Sequence, residues 1–333
     1  MRLAFSRLTR IGLGLGALLT AAAVAPAAAA PAFPTKQVRI VIPFTPGQGS
    51  DILARALSSH LSTRWGHPVV VENRAGANGA IALQEVARSG ADGHTLLLTS
   101  NSPIVINPNL YQKLPYDVER NFAAVALLAA TDMVMVVNKD FPAQDIPGVV
   151  KALKAAPGKY NFGSPGKGST SHLSMEVFKR LAGVELTHVP YKGSPPAYTD
   201  MIGGAIEMMI DAMPSALPQV RNGRVRAIAI TSHDQPSSIA PEIPTAESQG
   251  MKGLPSRAWY GVFAPAGTDP AIVDKIQADL SYAMKQPDIV QRMPQLGLES
   301  SPDMSAAQFA DFVRKDTEYW KQATQRIGLY HQE

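Results

Sequence analysis

Two segments of the chain combine glycines with small hydroxyl side chains in a pattern that suits an anion. The first is Pro46-Gly47-Gln48-Gly49-Ser50-Asp51, and the second is Gly163-Ser-Pro-Gly-Lys-Gly-Ser-Thr-Ser-His172. Glycines let backbone N–H groups approach a ligand closely. A helix that begins at such a loop adds unsatisfied N–H donors and partial positive charge. An ordinary strand-to-helix turn, with Ser50 as N-cap, explains part of the first loop but leaves its Gly-x-Gly unexplained.

Three single residues near these loops are further candidates. His172 lies one turn into the second predicted helix, where it either reaches a ligand or hydrogen-bonds within its own lobe. Tyr191 and Asp211 each end a predicted strand. Tyr191 is either a wall contact or a core residue. Since Asp211 has no evident catalytic partner, we expect a hydrogen-bonding role for it rather than that of a general base.

The signatures of enzymes and of metal sites are absent from the sequence. The first loop nearly matches a dinucleotide fingerprint, but Ile52 stands where its third glycine belongs, and the second loop lacks the Lys-Ser/Thr of a P-loop. With no cysteine there is no thiolate nucleophile, Zn–Cys site or Fe–S cluster. We predict no catalytic residue, metal or cofactor. An exported α/β enzyme that uses the Gly-x-Gly loop for a nucleotide or phosphate stays open as the alternative.

Both loops are positioned by the same construction of strand, loop and helix. Val38–Ile42 reads as a buried strand before the first loop, and residues 160–163 as a short strand before the second; helices are expected over 50–65 and 169–181. This alternation is typical of an α/β fold, and we expect mostly parallel strands. In open α/β sheets ligands bind at the carboxyl ends of strands. The pattern therefore predicts two lobes and a cleft, with one helix end on each wall.

The N-terminus has the order of a secretory signal peptide. Arg2, Arg7 and Arg10 precede an apolar run over residues 11–24, which small residues and then Pro31 follow. The chain has 333 residues and a net charge of +4. Without the three arginines, 28 Lys+Arg oppose 27 Asp+Glu, and a net charge of +1 gives no basis for nucleic-acid binding. We expect an exported, periplasmic protein.

Many ordered motifs together resemble the Bug-type solute receptors of tripartite tricarboxylate transporters. Besides the two loops, the resemblance extends over nearly the whole mature chain. Its further motifs are Phe33-Pro-Thr-Lys, Val70-Val-Glu-Asn-Arg, Ala91-Asp-Gly, Asn107-Pro, Leu114-Pro-Tyr-Asp, Val189-Pro-Tyr-Lys-Gly, Pro214-Ser-Ala-Leu-Pro, Pro244-Thr-Ala-Glu-Ser and Ala264-Pro-Ala-Gly-Thr.

The resemblance implies a two-lobed Venus-flytrap periplasmic binding protein (type II-like), with the ligand cleft between the lobes. It would close over a small carboxylate and deliver it to the transporter's membrane permease, as a monomer. The expected organisation is a signal peptide over residues 1–30, a first lobe from 31–128 and 229–333, and a second lobe from 129–228. A receptor that signals to a sensor protein instead of a permease stays open.

The resemblance also extends the predicted site. It implies that the two loops hold one carboxylate, and that Ser100, Asn101 and Asp211 meet the far end of the ligand. The ligand-binding residues predicted from the loops and the resemblance together are Phe44, Thr45, Gly47, Gln48, Gly49, Ser50, Asp51, Ser100, Asn101, Ser164, Gly168, Ser169, Thr170, His172, Tyr191 and Asp211.

One departure from the family pattern concerns the first loop. The family usually has Pro-Gly-Gly there, whereas this chain has Pro46-Gly47-Gln48-Gly49. The glutamine amide could bind the ligand or face solvent, so the solute is not identified. Dicarboxylates, tricarboxylates, acidic amino acids and aromatic acids stay open. The scarcity of arginine and acid in the inferred cleft argues against a zwitterionic amino acid.

Overall fold

The computed structural model describes residues 33–232, 235–254 and 257–332. The predicted signal peptide over residues 1–30 lies outside these ranges. Within them, no helix combines the length and the apolar character that a membrane crossing requires.

A six-stranded mixed sheet forms the core of the first lobe, in the order β11-β4-β10-β3-β1-β2. Alternate residues of its central strands face opposite sides, as the pleat requires. Ile40 and Ile42 pack in one apolar cluster with α1, α9 and α10, while Val41 packs in another with α2 and α11. The strands are β1 (Val38–Ile42), β2 (Val69–Asn73), β3 (Thr95–Ser100), β4 (Phe122–Thr131), β10 (Ala258–Pro265) and β11 (Glu299–Ser300).

Helices cover both faces of this sheet. They are α1 (Gly49–Trp65), α2 (Ala80–Ala87), α3 (Asn107–Leu110), α4 (Val118–Asn121), α9 (Pro270–Met284), α10 (Pro287–Gln295) and α11 (Ala306–Arg326). A 3-10 turn over Ala77–Gly79 precedes α2, and a π-helical segment over Ser102–Ile106 follows β3 directly. A helix start therefore lies at the carboxyl end of β3.

A second, five-stranded mixed sheet forms the other lobe, in the order β7-β6-β8-β5-β9. Its strands are β5 (Met133–Asn138), β6 (Asn161–Ser164), β7 (Thr187–Pro190), β8 (Met208–Ala212) and β9 (Val225–Ile230). Residues of α5 (Ile146–Ala155) and α6 (Thr170–Ala182) cluster with one face, and residues of α7 (Ser194–Ile202) and α8 (Met213–Arg221) with the other. Both lobes thus have three layers, with the sheet in the middle.

The expectation of mostly parallel strands is wrong. β1 pairs in parallel with β2 and β3, and β6 with β7 and β8, but β4, β5, β9, β10 and β11 pair antiparallel. The reason is the path of the chain between the sheets. It passes from β4 to β5 at Asp132 and returns between β9 and β10. The strands that it enters after these crossings, β5 and β10, each lie between two neighbours that run in the opposite direction: β10 between β3 and β4, and β5 between β8 and β9.

Candidate ligand-binding site

The carboxyl ends of β1, β3, β6 and β8 meet at one small cavity between the two sheets. Loops lead from β1 into α1 and from β6 into α6, whereas helical segments follow β3 and β8 directly, so four helix starts lie beside the same space. The cavity has a volume of about 30 Å³. It is lined by Phe44, Gln48, Ser50, Ser100, Asn101, Ser102, Met133, Pro165, Ser169, Thr170, Ser171, Asp211, Ala212, Ala258 and Tyr260.

The loop after β1 is held in shape by Asp51, which does not line the cavity. Its Oδ2 accepts a hydrogen bond from the Gly47 N–H at 2.9 Å, and its Oδ1 accepts from Arg55 Nε at 2.9 Å and from Asn73 Nδ2 at 3.0 Å. The same Asn73 amide donates to the Phe44 carbonyl at 2.9 Å. The carboxylate of Asp51 therefore holds the loop in position without facing the cavity.

Gly49 allows the loop to lie directly against Tyr260 of β10. A Cβ at Gly49 would lie 2.1 Å from the Tyr260 hydroxyl oxygen, so a side chain at this position displaces the ring. On the same wall, Ser50 Oγ and Gln48 Oε1 are buried without a hydrogen-bond partner. Tyr260 lines the cavity but is not among the site residues predicted from the sequence. A hydroxyl-bearing ring inside an otherwise apolar strand is the signal that could have identified it.

His172 and His188, which do not line the cavity, form hydrogen bonds with the second loop. Ser164 Oγ is hydrogen-bonded to His188 Nε2 at 2.7 Å and donates to the Gly166 carbonyl at 3.0 Å. The Gly168 N–H donates to His172 Nδ1 at 3.2 Å. Ser169 caps α6 by accepting from the His172 N–H at 3.2 Å. These bonds leave Ser169, Thr170 and Ser171 facing the cavity at the helix start.

The two histidines form a stack with Phe162 inside the second lobe. The ring centroids of His172 and His188 are 4.0 Å apart, and those of His188 and Phe162 are 4.8 Å apart. Burial lowers the pKa of His172 to about 3 and that of His188 to about 4, with further lowering from the nearby positive charges of Lys167 and Lys179. Both rings are therefore neutral near pH 7, which leaves His172 Nδ1 able to accept.

The lobes touch each other around the cavity. Thr170 Oγ1 donates to Asn101 Oδ1 at 3.0 Å, and the Tyr111 hydroxyl donates to the Lys167 carbonyl at 3.1 Å. A Cβ on Gly193 would lie 2.2 Å from Thr45 Oγ1, so this glycine permits a second close approach between the lobes.

Asp211 at the end of β8 is the only charged side chain among the described residues that line the cavity. It is 1% exposed, and its Oδ1 accepts from Ser171 Oγ at 3.2 Å. Burial raises the pKa of Asp211 to about 6, although the hydroxyls of Ser194, Ser171 and Tyr198 and the Ala212 N–H act in the opposite direction.

The structure brings half of the predicted site residues to the cavity wall and places the others behind it. Those on the wall are Phe44, Gln48, Ser50, Ser100, Asn101, Ser169, Thr170 and Asp211. Those outside the lining are Thr45, Gly47, Gly49, Asp51, Ser164, Gly168, His172 and Tyr191, whose hydroxyl donates to Asp200 Oδ2 at 2.6 Å. Lining residues outside the predicted set are Ser102, Met133, Pro165, Ser171, Ala212, Ala258 and Tyr260, of which Pro165 and Ser171 belong to the second glycine loop.

Two observations on the rest of the molecule bear on the choice of site. A larger hollow of about 590 Å³ lies beside α11, and none of the predicted site residues lines it. Among the described residues, no group of three or more His, Asp or Glu side chains is arranged to hold a metal ion.

Comparison with known proteins identifies the family. Residues 53–329 match the TctC family, described as the tripartite tricarboxylate transporter family receptor. The protein BugT of Bordetella pertussis is 33% identical over 312 residues, which cover 92% of this chain and 95% of BugT. The chain belongs to this receptor family.

Solved structures agree with that assignment. The receptor is similar to the periplasmic binding protein BugD, with 30% identity, a TM-score of 0.85 and coverage of 90% of this chain and 99% of BugD. R. palustris Rpa4515 with adipate gives 30% identity and a TM-score of 0.85, with coverage of 89% and 98%. MatC from Rhodopseudomonas palustris with bound malate gives 31% identity and a TM-score of 0.83, with coverage of 87% of this chain and 99% of MatC.

These findings settle the class of protein. The receptor has the two-lobed α/β fold of periplasmic binding proteins, and its family consists of solute-binding receptors rather than enzymes. The alternative of an exported enzyme is therefore set aside. Membership in a family of periplasmic binding proteins places the receptor in the periplasm.

Proposed function

We propose that the protein captures a small carboxylate between its lobes and delivers it to the permease of a tripartite tricarboxylate transporter. The observation that carries this proposal is the convergence of helix N-termini on a cavity that no lysine, arginine or histidine of the described residues lines. Hydrogen-bond donors and helix dipoles, rather than ion pairs, would then hold the anion.

The carboxylate group would bind between the starts of α1 and α6. These helices have 17 and 13 residues, and the first N–H groups of each lack partners within the helix. Ser50 Oγ and Asn101 Nδ2 add buried polar atoms without a partner on the wall of the first lobe. Buried polar groups in native proteins are normally paired, so these atoms favour a ligand as their partner. Rpa4515 with adipate and MatC with malate show that relatives hold acids of this kind.

Capture would require the lobes to separate and close again. A volume of about 30 Å³ has room for only one or two water molecules, whereas adipate or malate is several times larger. The bond from Thr170 to Asn101 joins the lobes across the cavity. A carboxylate that contacts both walls would favour closure because it binds the closed form better than the open one.

The remaining parts of the proposal concern the chain as a whole. Residues 1–30 would direct export as a cleavable signal peptide. The first lobe would comprise 31–128 and 229–333, and the second 129–228; the separation of β1–β4 and β10 from β5–β9 into two sheets supports this division. The mature receptor would act as a monomer that hands its solute to membrane permease subunits.

A thermal-shift screen of the mature protein tests carboxylate capture. The set comprises aliphatic and aromatic di- and tricarboxylates, acidic amino acids, monocarboxylates and NAD. A solute at 100 times its Kd adds about 2.7 kcal/mol to the free energy of unfolding, which raises Tm by several degrees. We expect a rise with one class of carboxylate. A rise with NAD alone, or with no carboxylate, would contradict the proposal.

A pair of glycine variants locates the binding site. In Gly49→Asp a negative charge stands at the α1 start against Tyr260, so we expect binding of the best solute from the screen to be lost in calorimetry. Gly90→Asp is the matched control, because a Cβ at Gly90 meets no atom within 4 Å. Full affinity in Gly49→Asp would place the carboxylate elsewhere.

A further inference from the structure

Asp211 is a buried acid with spare hydrogen-bonding capacity on the cavity wall. Ser171 donates to its Oδ1, but its Oδ2 has no hydrogen-bond partner of good geometry. The hydroxyls of Ser194 and Tyr198 lie near it, and their oxygens are likewise buried without a partner. Because Oδ2 makes no hydrogen bond of good geometry within the protein, Asp211 can accept one from a donor in the cavity.

The charge of Asp211 is not balanced by a cation in the cavity. No lysine, arginine or histidine of the described residues belongs to the lining. A second carboxylate of a ligand placed beside Asp211 would meet a like charge, and like charges a few ångströms apart in a buried site repel strongly. A hydroxyl or ammonium group in the same place would instead be attracted, because it can donate a hydrogen bond to Asp211. A hydrogen bond to a charged acceptor is stronger than one between neutral groups.

We propose that Asp211 selects a ligand that carries a hydrogen-bond donor, a hydroxyl or an ammonium group, in addition to its carboxylate. This inference rests on the proposed function, since the carboxylate is assigned to the starts of α1 and α6. The donor would occupy the side of the cavity next to β8. A scarcity of arginine and acid in the inferred cleft argued against a zwitterionic amino acid, but Asp211 places an acid on the cavity wall.

A matched series of straight-chain acids tests the selection. Butyrate, 4-hydroxybutyrate, 4-aminobutyrate and succinate share four carbons and one carboxylate, and differ in the group at the other end. Malate, aspartate and succinate form a second series, with the donor beside the carboxylate. Calorimetry at pH 7.5 should give at least tenfold tighter binding for a member with a donor than for the member of the same series without one. Comparison of the hydroxyl and ammonium members within each series shows which donor the site prefers.

The possible outcomes separate this inference from the proposed function. If succinate or butyrate binds as tightly as the members with a donor, Asp211 does not select a donor, while carboxylate capture stands. If no acid in either series and no carboxylate in the thermal-shift screen binds, the proposed function fails, and this inference fails with it.

The variant Asp211→Asn distinguishes selection from a structural role. It keeps the size of the side chain and removes the charge, so the ammonium probe should lose at least tenfold in affinity while succinate gains. An equal loss for every probe would indicate a merely structural residue. Asp316→Asn is the control, because this half-buried acid accepts from Trp259 Nε1 at 2.7 Å and does not line the cavity. If Asp211→Asn does not fold, the series on the unaltered receptor still decides.

A pH profile provides a second readout. The titratable groups that face Asp211 are the phenols of Tyr198 and Tyr260, whose pKa values burial raises above 10, and His172 on the neighbouring helix is neutral above pH 5. Affinity for 4-aminobutyrate should therefore fall from pH 7.5 to 5 with a midpoint near pH 6, where Asp211 gains its proton. A flat profile in the unaltered receptor would overturn the inference.

Discussion

Individual residues of this site divide into those that face the cavity and those that shape it from behind. Asn101 and Asp211 present polar atoms to the cavity, whereas Asp51 and Ser164 direct theirs into the adjoining loops. Both kinds are buried and polar, and nothing in the residue types separates them. The shaping residues matter because a carboxylate held by backbone N–H groups depends on the position of the loop.

Asp51→Ala tests this division at the residue level. The variant removes the acceptor for the Gly47 N–H, Asn73 and Arg55. We expect affinity for the best acid of the screen to fall about tenfold, with a loss of about 1–3 kcal/mol in stability, although Asp51 does not contact the cavity. Calorimetry and denaturant unfolding measure the two effects. Asp288→Ala, an exposed acid bonded to His60, should change neither. Unchanged affinity in Asp51→Ala would show that the loop holds its shape without the carboxylate.

At the level of elements, each wall repeats the unit of strand, glycine loop and helix start, but the two loops are supported differently. An acid from within its own helix braces the first loop, and neutral imidazoles from α6 and β7 brace the second. The imidazole support is sensitive to acid. Protonation of His172 would convert Nδ1 from an acceptor into a donor and break its bond with the Gly168 N–H.

The stack around His172 should make the receptor less stable in acid. Its pKa is about 3 in the folded protein and near 6.5 in the unfolded chain, so below pH 6.5 the unfolded state binds more protons. This stability is present above pH 6.5 and is lost as pH falls, by about 2 kcal/mol between pH 7 and 5 for one such group. His172→Asn, which keeps an acceptor, should lose correspondingly less over this interval. Urea unfolding at pH 7, 6 and 5 measures the slope.

The control for the stack is His67→Asn, just beyond the far end of α1 in the other lobe. It should retain the acid sensitivity of the unaltered receptor. If His172→Asn loses as much stability between pH 7 and 5 as this control, other groups dominate the acid response.

At the scale of the whole molecule, the site exists only where two separately built sheets meet. The chain crosses between them at Asp132 and again between β9 and β10. At the first crossing, the buried Asp132 accepts from Ser237 Oγ at 2.6 Å and pairs with Arg257 at 3.3 Å. Asp132, at the first crossing, is thereby linked to Ser237 and Arg257, which lie on the second crossing between β9 and β10. In the proposed capture, closure about these connections would bring Thr170 to Asn101.

Thr170→Val tests the contact across the cavity. The variant keeps the shape of the side chain and removes the hydrogen bond to Asn101 Oδ1, which is worth about 1 kcal/mol. We expect a shift towards open forms, seen as a larger radius of gyration in small-angle scattering, and about fivefold weaker binding of the best acid. Thr199→Val, whose exposed hydroxyl bonds only within α7, is the control. An unchanged radius together with unchanged affinity would show that this bond does not favour closure.

The sequence by itself determined the local units. Apolar runs and the loop residues between them predicted β1 with its observed bounds and α1 and α6 to within one residue at each end. Caps, glycine conformation and side-chain periodicity depend on near neighbours in the chain, so they can be read from it directly. No helix is predicted at α8 or α10, which contain the internal prolines Pro218 and Pro294.

Only the tertiary structure decided the strand directions and the composition of the cavity wall. Tyr260 reads as core because its strand is apolar on both sides, yet its hydroxyl lies against Gly49, more than 200 residues earlier in the chain. Asp51 reads as a ligand contact because it starts a helix, yet Asn73 and Arg55 draw its carboxylate away from the cavity. Which atom of a side chain faces a shared space depends on elements distant in sequence. Local sequence patterns predict where the loops lie, and long-range packing decides which of their atoms face the cavity.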